Sequence, residues 1–224
     1  MLTQHDNDTL TKVGPGTPMG DLMREYWIPA LLSNELPGPD SDPVRIRLLC
    51  EDLIAFRDTN GDAGLVDNFC PHRRASLFFG RNEECGLRCV YHGWKFDING
   101  DCVDMPSEPL ESNFKDKVKL KAYKLTERNG MIWAYMGPRQ TPPPLPDIEP
   151  NMMEESQNGN SAGLRNCNWV QAMEGDIDTA HLSFLHLGMV SAEDVAPGSF
   201  DFYNQRDRAP HYNVVETDYG MMYG

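Results

Sequence analysis

The chain has 224 residues, which is enough for one large domain or two modest ones. Its 20 Lys and Arg against 34 Asp and Glu give a net charge of −14, so the overall field repels a phosphate backbone and excludes nucleic acid as an expected partner. The first twenty residues lack the basic start and apolar core of a secretory signal, and no apolar run approaches the roughly 20 residues that cross a bilayer. We therefore expect no membrane association and a cytoplasmic protein whose six cysteines are thiols or metal ligands rather than disulfides.

The first part of the chain divides into an arm and a β-rich region. Residues 1–40 combine a short helical stretch near 19–27 with Gly and Pro, which predicts an N-terminal surface arm. Residues 41–140 consist of short β-prone runs separated by turn signals such as Thr59-Asn60-Gly61, which predicts a compact all-β domain.

A change in composition follows the β-rich region. Four prolines between 141 and 146 cannot continue a central strand, so residues 141–150 are predicted to form a stiff linker that opens a second domain at 151–224. That second domain has apolar residues at helical spacing, which predicts one amphipathic helix; they are Val170, Met173, Ile177, Ala180 and Phe184. Residues 212–223 are predicted to form a strand or hairpin.

Two mixed cysteine–histidine pairs lie in the β-rich region. They are Cys70-Pro71-His72 and Cys89-Val90-Tyr91-His92, with 16 residues between His72 and Cys89. Two such loops that face each other can place both sulfurs on one iron and both imidazoles on another, which is the ligand set of a Rieske [2Fe–2S] centre. Two Cys and two His also satisfy tetrahedral zinc, so the residue types alone leave a zinc-stabilised binding domain as an alternative.

The residues that flank these pairs favour the iron–sulfur interpretation. The pattern C-P-H-R followed by C-x-Y-H-G-W-x-F resembles the Rieske motif, whereas zinc fingers usually group Cys with Cys and His with His. In this motif Gly93 is expected to allow a tight turn, and Trp94 and Phe96 are expected to pack in the core.

A second group of metal-binding residue types lies on the predicted helix of the second domain. Glu174, Asp178 and His181 are spaced i, i+4 and i+7, which places them on one polar stripe. His186 follows five residues after His181, and such residues lie roughly 140° apart on an α-helix. Both histidines can bind one metal only if the helix bends or ends between them.

The sequence around these histidines resembles the mononuclear-iron helix of Rieske non-haem iron oxygenases, in the branch that includes phthalate dioxygenase-like enzymes. The residues that carry the resemblance are D-x-x-H-x-x-x-x-H preceded by N-W-x-Q-x-x-E-G. The resemblance implies that His181 and His186 bind Fe(II) and that Asp178 bridges cluster and iron ligands across a subunit boundary in a ring-like homotrimer. In this family the carboxylate ligand of the iron lies far downstream, so we expect the chain to be the N-terminal half of an oxygenase.

The resemblance also implies a fold and an activity. The fold would be α+β, with an all-β Rieske domain followed by the first part of a helix-grip catalytic domain, which is an antiparallel sheet with helices. The activity would be that of the oxygenase component of a ring-hydroxylating dioxygenase or demethylating monooxygenase, acting on a small aromatic or methylated substrate. Electrons would pass from a flavin and iron–sulfur reductase through the [2Fe–2S] cluster to the Fe(II) that activates O₂. We expect this chain alone to be weakly active or inactive, and the alternative is a stand-alone Rieske electron-transfer protein with an inert second domain.

Overall fold

The computed structural model describes residues 2–224, and the chain divides into two compact units between Leu164 and Arg165. The strands of the first unit, in chain order, are β1 (Trp27–Leu32), β2 (Val44–Leu48), β3 (Glu51–Arg57), β4 (Ala63–Asp67), β5 (Arg81–Glu83), β6 (Gly86–Arg88), β7 (Lys95–Phe96), β8 (Cys102–Asp104), β9 (Ala122–Arg128) and β10 (Met131–Tyr135). Its α-helices are α1 (Gln4–Thr11), α2 (Pro18–Arg24) and α3 (Glu149–Met152). Within residues 2–224, no helix combines the length and apolar character that crossing a membrane requires.

Two antiparallel sheets form the first unit. The six-stranded sheet has the order β1-β10-β9-β4-β3-β2, and the four-stranded sheet has the order β5-β6-β7-β8. Strand β3 is buried on both faces, because Leu53 and Ala55 join one apolar cluster while Ile54 and Phe56 join the other. The period-2 alternation of a strand produces this division. The cluster that contains Ile54 and Phe56 also contains Cys70 and Cys89, so the predicted ligand loops rest on a packed core.

Two hairpin turns use the same local chemistry. Each has the sequence Asp-x-Asn-Gly-Asp, beginning at Asp58 in one case and at Asp97 in the other. The first Asp carboxylate accepts hydrogen bonds from the backbone N–H groups two and four residues later, at 2.8–3.0 Å. Gly61 and Gly100 supply the left-handed backbone, with φ of +89° and +81°. The turn signals thus predicted these hairpins correctly.

Part of the predicted N-terminal arm lies inside the first unit. Strand β1 pairs with β10, and Leu31 and Leu36 are buried in an apolar cluster, so this part of residues 1–40 is not a surface arm. The physical reason is the apolar character of residues 27–32, whose Ile28, Ala30 and Leu31 side chains pack in or against that cluster. The bulge between Pro29 and Leu31 accommodates the proline that lacks an N–H.

The predicted proline-rich linker is also held against the first unit. The Trp27 indole N–H donates to the Pro143 carbonyl at 2.7 Å. The Asn129 side chain donates to the carbonyls of Pro150 and Met153, at 2.8 and 2.7 Å. The first compact unit extends to Leu164, and the domain limits 41–140, 141–150 and 151–224 stay predictions.

The second unit contains α4 (Trp169–Ile177), a π-helical turn (Leu182–His186), α5 (Phe200–Arg206) and the hairpin of β11 (Val214–Thr217) with β12 (Gly220–Tyr223). The predicted hairpin at 212–223 is present. The prediction of one continuous helix through Phe184 was wrong, because α4 ends at Ile177 and Asp178 has an extended backbone. The Asp178 carboxylate accepts from the Ala180 N–H at 2.9 Å, and this local bond competes with continuation of the helix. The expected α+β class is confirmed.

Candidate metal centres

The two predicted ligand loops adopt the same turn. Loop 1 follows β4 and contains Cys70, while loop 2 follows β6 and contains Cys89. In each loop the cysteine N–H donates to the carbonyl five residues later, at 2.9 Å for Cys70 and 2.8 Å for Cys89. The cysteine carbonyl accepts from the N–H four residues later, at 2.9 and 3.1 Å. Local backbone bonds therefore shape both loops before any metal is considered.

The residue four positions after each cysteine has a left-handed backbone. This residue is Gly93 in loop 2, with φ of +78°, and Arg74 in loop 1, with φ of +58°. A Cβ on Gly93 would lie 2.6 Å from Pro106 Cγ, so glycine is required there for space as well as conformation. Arg74 carries roughly 1–2 kcal/mol of backbone strain, and its guanidinium lies 4.6 Å from the Phe69 ring centroid.

The loops separate the sulfur donors from the nitrogen donors. Cys70 and Cys89 are 2% and 3% exposed, whereas His72 and His92 are half-buried with ring centroids 4.5 Å apart. Burial raises the pKa of the Cys70 thiol to about 11; the backbone N–H groups of His72 and Arg73 oppose this rise and the Cys89 thiol adds to it. A metal must therefore displace the thiol proton, as it does when a thiolate ligand forms.

This arrangement fits a diiron group with two thiolates on the inner metal and two imidazoles on the outer one. The Nδ1 atom of His72 is buried and has no hydrogen-bond partner among the described residues, which leaves it available as a donor to a metal. Three effects lower the pKa of His72: partial burial is the largest, and the charges of His92 and Arg73 add to it. They favour the neutral form of the ring, which is the form that binds a metal. Within residues 2–224, no group of three or more His, Cys, Asp or Glu side chains is placed to hold a single metal ion. A Rieske diiron group differs, because each of its two metals takes only one pair of protein ligands.

Two residues support the loops in ways that the sequence analysis missed. Arg88 lies just before Cys89, and its guanidinium donates to the Gly93 carbonyl and to Asp104, both at 2.7 Å, and to Glu83 at 2.6 Å. It therefore fastens the end of loop 2 to β5 and β8. Trp94, predicted to be core packing only, is buried but also stacks on the His72 ring. Neither role had a signal in the sequence, because both depend on contacts between residues that are far apart in the chain.

The second predicted centre is formed at the end of α4. Asp178 Oδ2 lies 3.2 Å from His181 Nδ1, and the His181 and His186 ring centroids lie 5.2 Å apart. Asp178 is thus a hydrogen-bond partner of His181, while its role as a bridge between cluster and iron ligands stays a prediction. Glu174 remains on α4 while Asp178 and His181 lie beyond its end, so the predicted continuous polar stripe is absent from this segment.

A π-helical turn brings the two histidines together. Residues Leu182–His186 form this turn, and the Leu187 N–H donates to the Leu182 carbonyl five residues earlier at 3.0 Å. The wider turn meets the requirement that the backbone depart from a regular α-helix, by bending or ending, between His181 and His186. Such π-turns occur frequently at functional sites, which supports a ligand role for the pair.

Two later side chains, also missed in the sequence, hold this turn at both ends. The Tyr212 hydroxyl accepts from the Thr179 N–H at 2.8 Å and donates to the Ile177 carbonyl at 3.0 Å. The Gln205 side chain, which is buried, donates to the Leu187 carbonyl at 2.7 Å. Tyr212 also lines an apolar cavity of about 460 Å³ together with Ile177, Val214 and Met221.

The paired loops on a two-sheet β unit define the protein as a Rieske-type iron–sulfur protein. Residues 26–123 match the Rieske [2Fe-2S] domain, and residues 134–224 match the family described as LigXa C-terminal domain like. The chain is 49% identical over 223 residues to the 3-chlorobenzoate-3,4-dioxygenase oxygenase subunit of Comamonas testosteroni, covering 100% of this chain and 51% of that subunit. It is 44% identical over 230 residues to the phthalate 4,5-dioxygenase oxygenase subunit of Pseudomonas putida, covering 100% of this chain and 52% of that subunit.

A solved structure shows the same fold. It is an oxygenase and ferredoxin complex of carbazole 1,9a-dioxygenase, with a TM-score of 0.64 and 26% identity, covering 87% of this chain and 50% of that chain. The chain therefore belongs to the Rieske oxygenase family, among the relatives of phthalate 4,5-dioxygenase. It spans about half the length of the curated relatives that it matches.

Proposed function

We propose that this chain provides the electron-entry domain and the histidine pair of the oxygenase component of a Rieske-type system. Its reaction class would be dioxygenation of an aromatic ring or oxidative demethylation by a monooxygenase. The observation that carries the proposal is the pairing of buried Cys70 and Cys89 with adjoining His72 and His92 on two loops of one geometry. The names of the two relatives, a chlorobenzoate and a phthalate dioxygenase, support a small aromatic acid as the substrate class.

When bound, the [2Fe–2S] group supplies single electrons and a mononuclear Fe(II) supplies a site for O₂ reduction. The chain's own residues prepare both positions. Loop 1 and loop 2 bury the two thiols and leave the imidazoles half-buried, so the nitrogen donors would form the solvent-accessible edge of the centre. The backbone N–H groups near Cys70 favour the thiolate that a metal requires.

Asp178 has a separate role at the histidine pair. Its carboxylate lies 3.2 Å from His181 Nδ1, and we propose that it holds a proton there, which would leave Nε2 of that ring as the donor to a metal. We propose that His186 supplies the second imidazole, and that Asp178 also bridges to the cluster ligands of a neighbouring subunit in a homotrimer. A flavin and iron–sulfur reductase is the proposed electron donor, and the cytoplasmic location stays a prediction.

The test combines spectroscopy with turnover. The purified chain, loaded with iron and sulfide under nitrogen, is reduced and examined by electron paramagnetic resonance (EPR). A Rieske-type signal that disappears in Cys70→Ser and His72→Cys variants is the expected result, with Cys167→Ser, an exposed thiol, as the matched control. Bound zinc without such a signal would contradict the proposal.

Oxygen consumption then separates the oxygenase from the electron carrier. With a reductase and NADH, we expect substrate-dependent O₂ uptake that requires His181 and His186, measured on the chain joined to the downstream part of a homologous oxygenase subunit. Reduction of the cluster with no O₂ uptake in that fusion would favour a stand-alone electron-transfer protein.

A further inference from the structure

We propose that Trp94 is a positioning residue that fixes the plane of the His72 imidazole and lowers the reduction potential of the centre that His72 ligates. This inference deepens the proposed function and rests on the proposed ligand set. Trp94 belongs to the sequence of loop 2, but its side chain contacts the ligand of loop 1, so one residue joins the two halves of the site.

The contact between the two rings is a parallel stack. The ring centroids of Trp94 and His72 lie 4.5 Å apart with an interplanar angle of 9°. His72 and His92 have the same centroid separation, but their rings are tilted by 57°, so they share no common plane. Because His72 Nδ1 has no hydrogen-bond partner among the described residues, the stack is the contact that defines the ring plane at the donor atom.

Trp94 is itself held rigidly. It is 7% exposed, and the Phe114 ring packs edge-on against it at a centroid distance of 6.1 Å and an angle of 73°. Its carbonyl accepts the hydrogen bond from the Cys89 N–H at 2.8 Å, so the backbone that carries the indole is fixed to loop 2. A side chain fixed by backbone, core and edge contacts can act as a template for the ring that it covers.

The sign of the effect on the potential follows from electrostatics. Reduction adds one negative charge to the cluster, and an apolar surface that excludes water disfavours that charge. The face of an indole is the negative part of its quadrupole, so it also disfavours added negative charge on the imidazole beneath it. Both effects favour the oxidised state, so removal of the indole is expected to raise the reduction potential.

The test is a redox titration at fixed pH, followed by EPR, of the iron-loaded chain and three variants. Trp94→Leu removes the aromatic face and is expected to shift the potential to more positive values and to alter the g values that report the ligand geometry. Trp94→Phe keeps a smaller face and should show a smaller shift in the same direction. Trp133→Phe is the matched control, since Trp133 is also 7% exposed but lies on β10, and it should behave as wild type.

The outcomes are distinguishable. A Trp94→Leu protein that keeps its cluster with the wild-type potential and g values would overturn the inference. If Trp94→Leu fails to hold a cluster, the potential and g values are measured instead in Trp94→Phe and Phe114→Leu. The second variant loosens the indole without removing it, and wild-type values in both variants would also overturn the inference. A wild-type chain without a Rieske signal would instead refute the ligand assignment itself.

Discussion

Replacing Arg88 by Met should destabilise the first unit far more than an ordinary surface ion pair suggests. The Met side chain keeps much of the apolar stem of Arg but donates no hydrogen bond. The bond from a charged donor to the Gly93 carbonyl contributes about 1.5–3 kcal/mol. The carboxylates of Glu83 and Asp104 are 33% and 43% exposed, so solvent screens both ion pairs and they contribute little to stability. We therefore expect Arg88→Met to lower the free energy of unfolding by about 1.5–3 kcal/mol, mainly through the lost bond to the Gly93 carbonyl.

The assay is unfolding by urea under nitrogen, followed by circular dichroism and by the visible absorbance of the cluster. Arg81→Met is the matched control: Arg81 binds the same Glu83 carboxylate but is 66% exposed, so this variant should lose much less stability than Arg88→Met. Arg88→Lys keeps the charge but lacks the planar fork, so its loss should lie between the two. Equal losses in Arg88→Met and Arg81→Met would show that the bond to Gly93 does not stabilise loop 2.

Three other predictions concern Gly93, Glu83 and Tyr212. Gly93→Ala should lower the iron content per chain and reduce the free energy of unfolding by about 2–4 kcal/mol, because of the left-handed backbone and the overlap with Pro106. Gly38→Ala is the control, since a Cβ there meets no atom within 4 Å, and it should change neither quantity. Arg81 first and Arg88 second lower the pKa of Glu83 from 4.5 to about 2, so the ion pairs stabilise the fold above pH 4.5 and are lost as the pH falls toward 2. The stability difference between wild type and Glu83→Gln in urea should shrink across that range, and a constant difference would contradict it. Tyr212→Phe should weaken protection of the Thr179 amide by about 1 kcal/mol, seen as roughly fivefold faster hydrogen exchange that Tyr219→Phe does not reproduce.

The ligand loops were predictable because their determinants are local. Each loop is shaped by hydrogen bonds between a cysteine and residues four or five positions later. The short sequence motif therefore contains the residues that determine the turn. The roles of Arg88 and Trp94 were not predictable in this way. Their partners, Asp104 and His72, lie 16 and 22 residues away, and only the packing of two sheets brings them together.

The helix prediction failed where short-range polar chemistry overrode apolar spacing. Ala180 and Phe184 continue the helical period of Val170 and Met173, so periodicity alone extends α4 too far. The competing signal was Asp178, a residue type whose carboxylate bonds to nearby backbone N–H groups and favours helix ends. In this segment the carboxylate also contacts His181, so one side chain both ends the helix and orients a proposed ligand.

The five-residue spacing of His181 and His186 requires a departure from regular α-helix, and the structure has a π-turn at this place. Residues five apart diverge by roughly 140° on an α-helix, so a shared metal requires a different backbone between them. A π-turn is rare because it is less favourable than α-helix, so it persists only where surrounding contacts support it. Here Gln205 binds the carbonyl at its end, and Ser183, 3% exposed within it, bonds to the Ala180 carbonyl. Gln205 and Ser183 thus support the π-turn from two sides. The turn brings the His181 and His186 rings to a centroid distance of 5.2 Å, and two neighbouring imidazoles are what the proposed metal site requires.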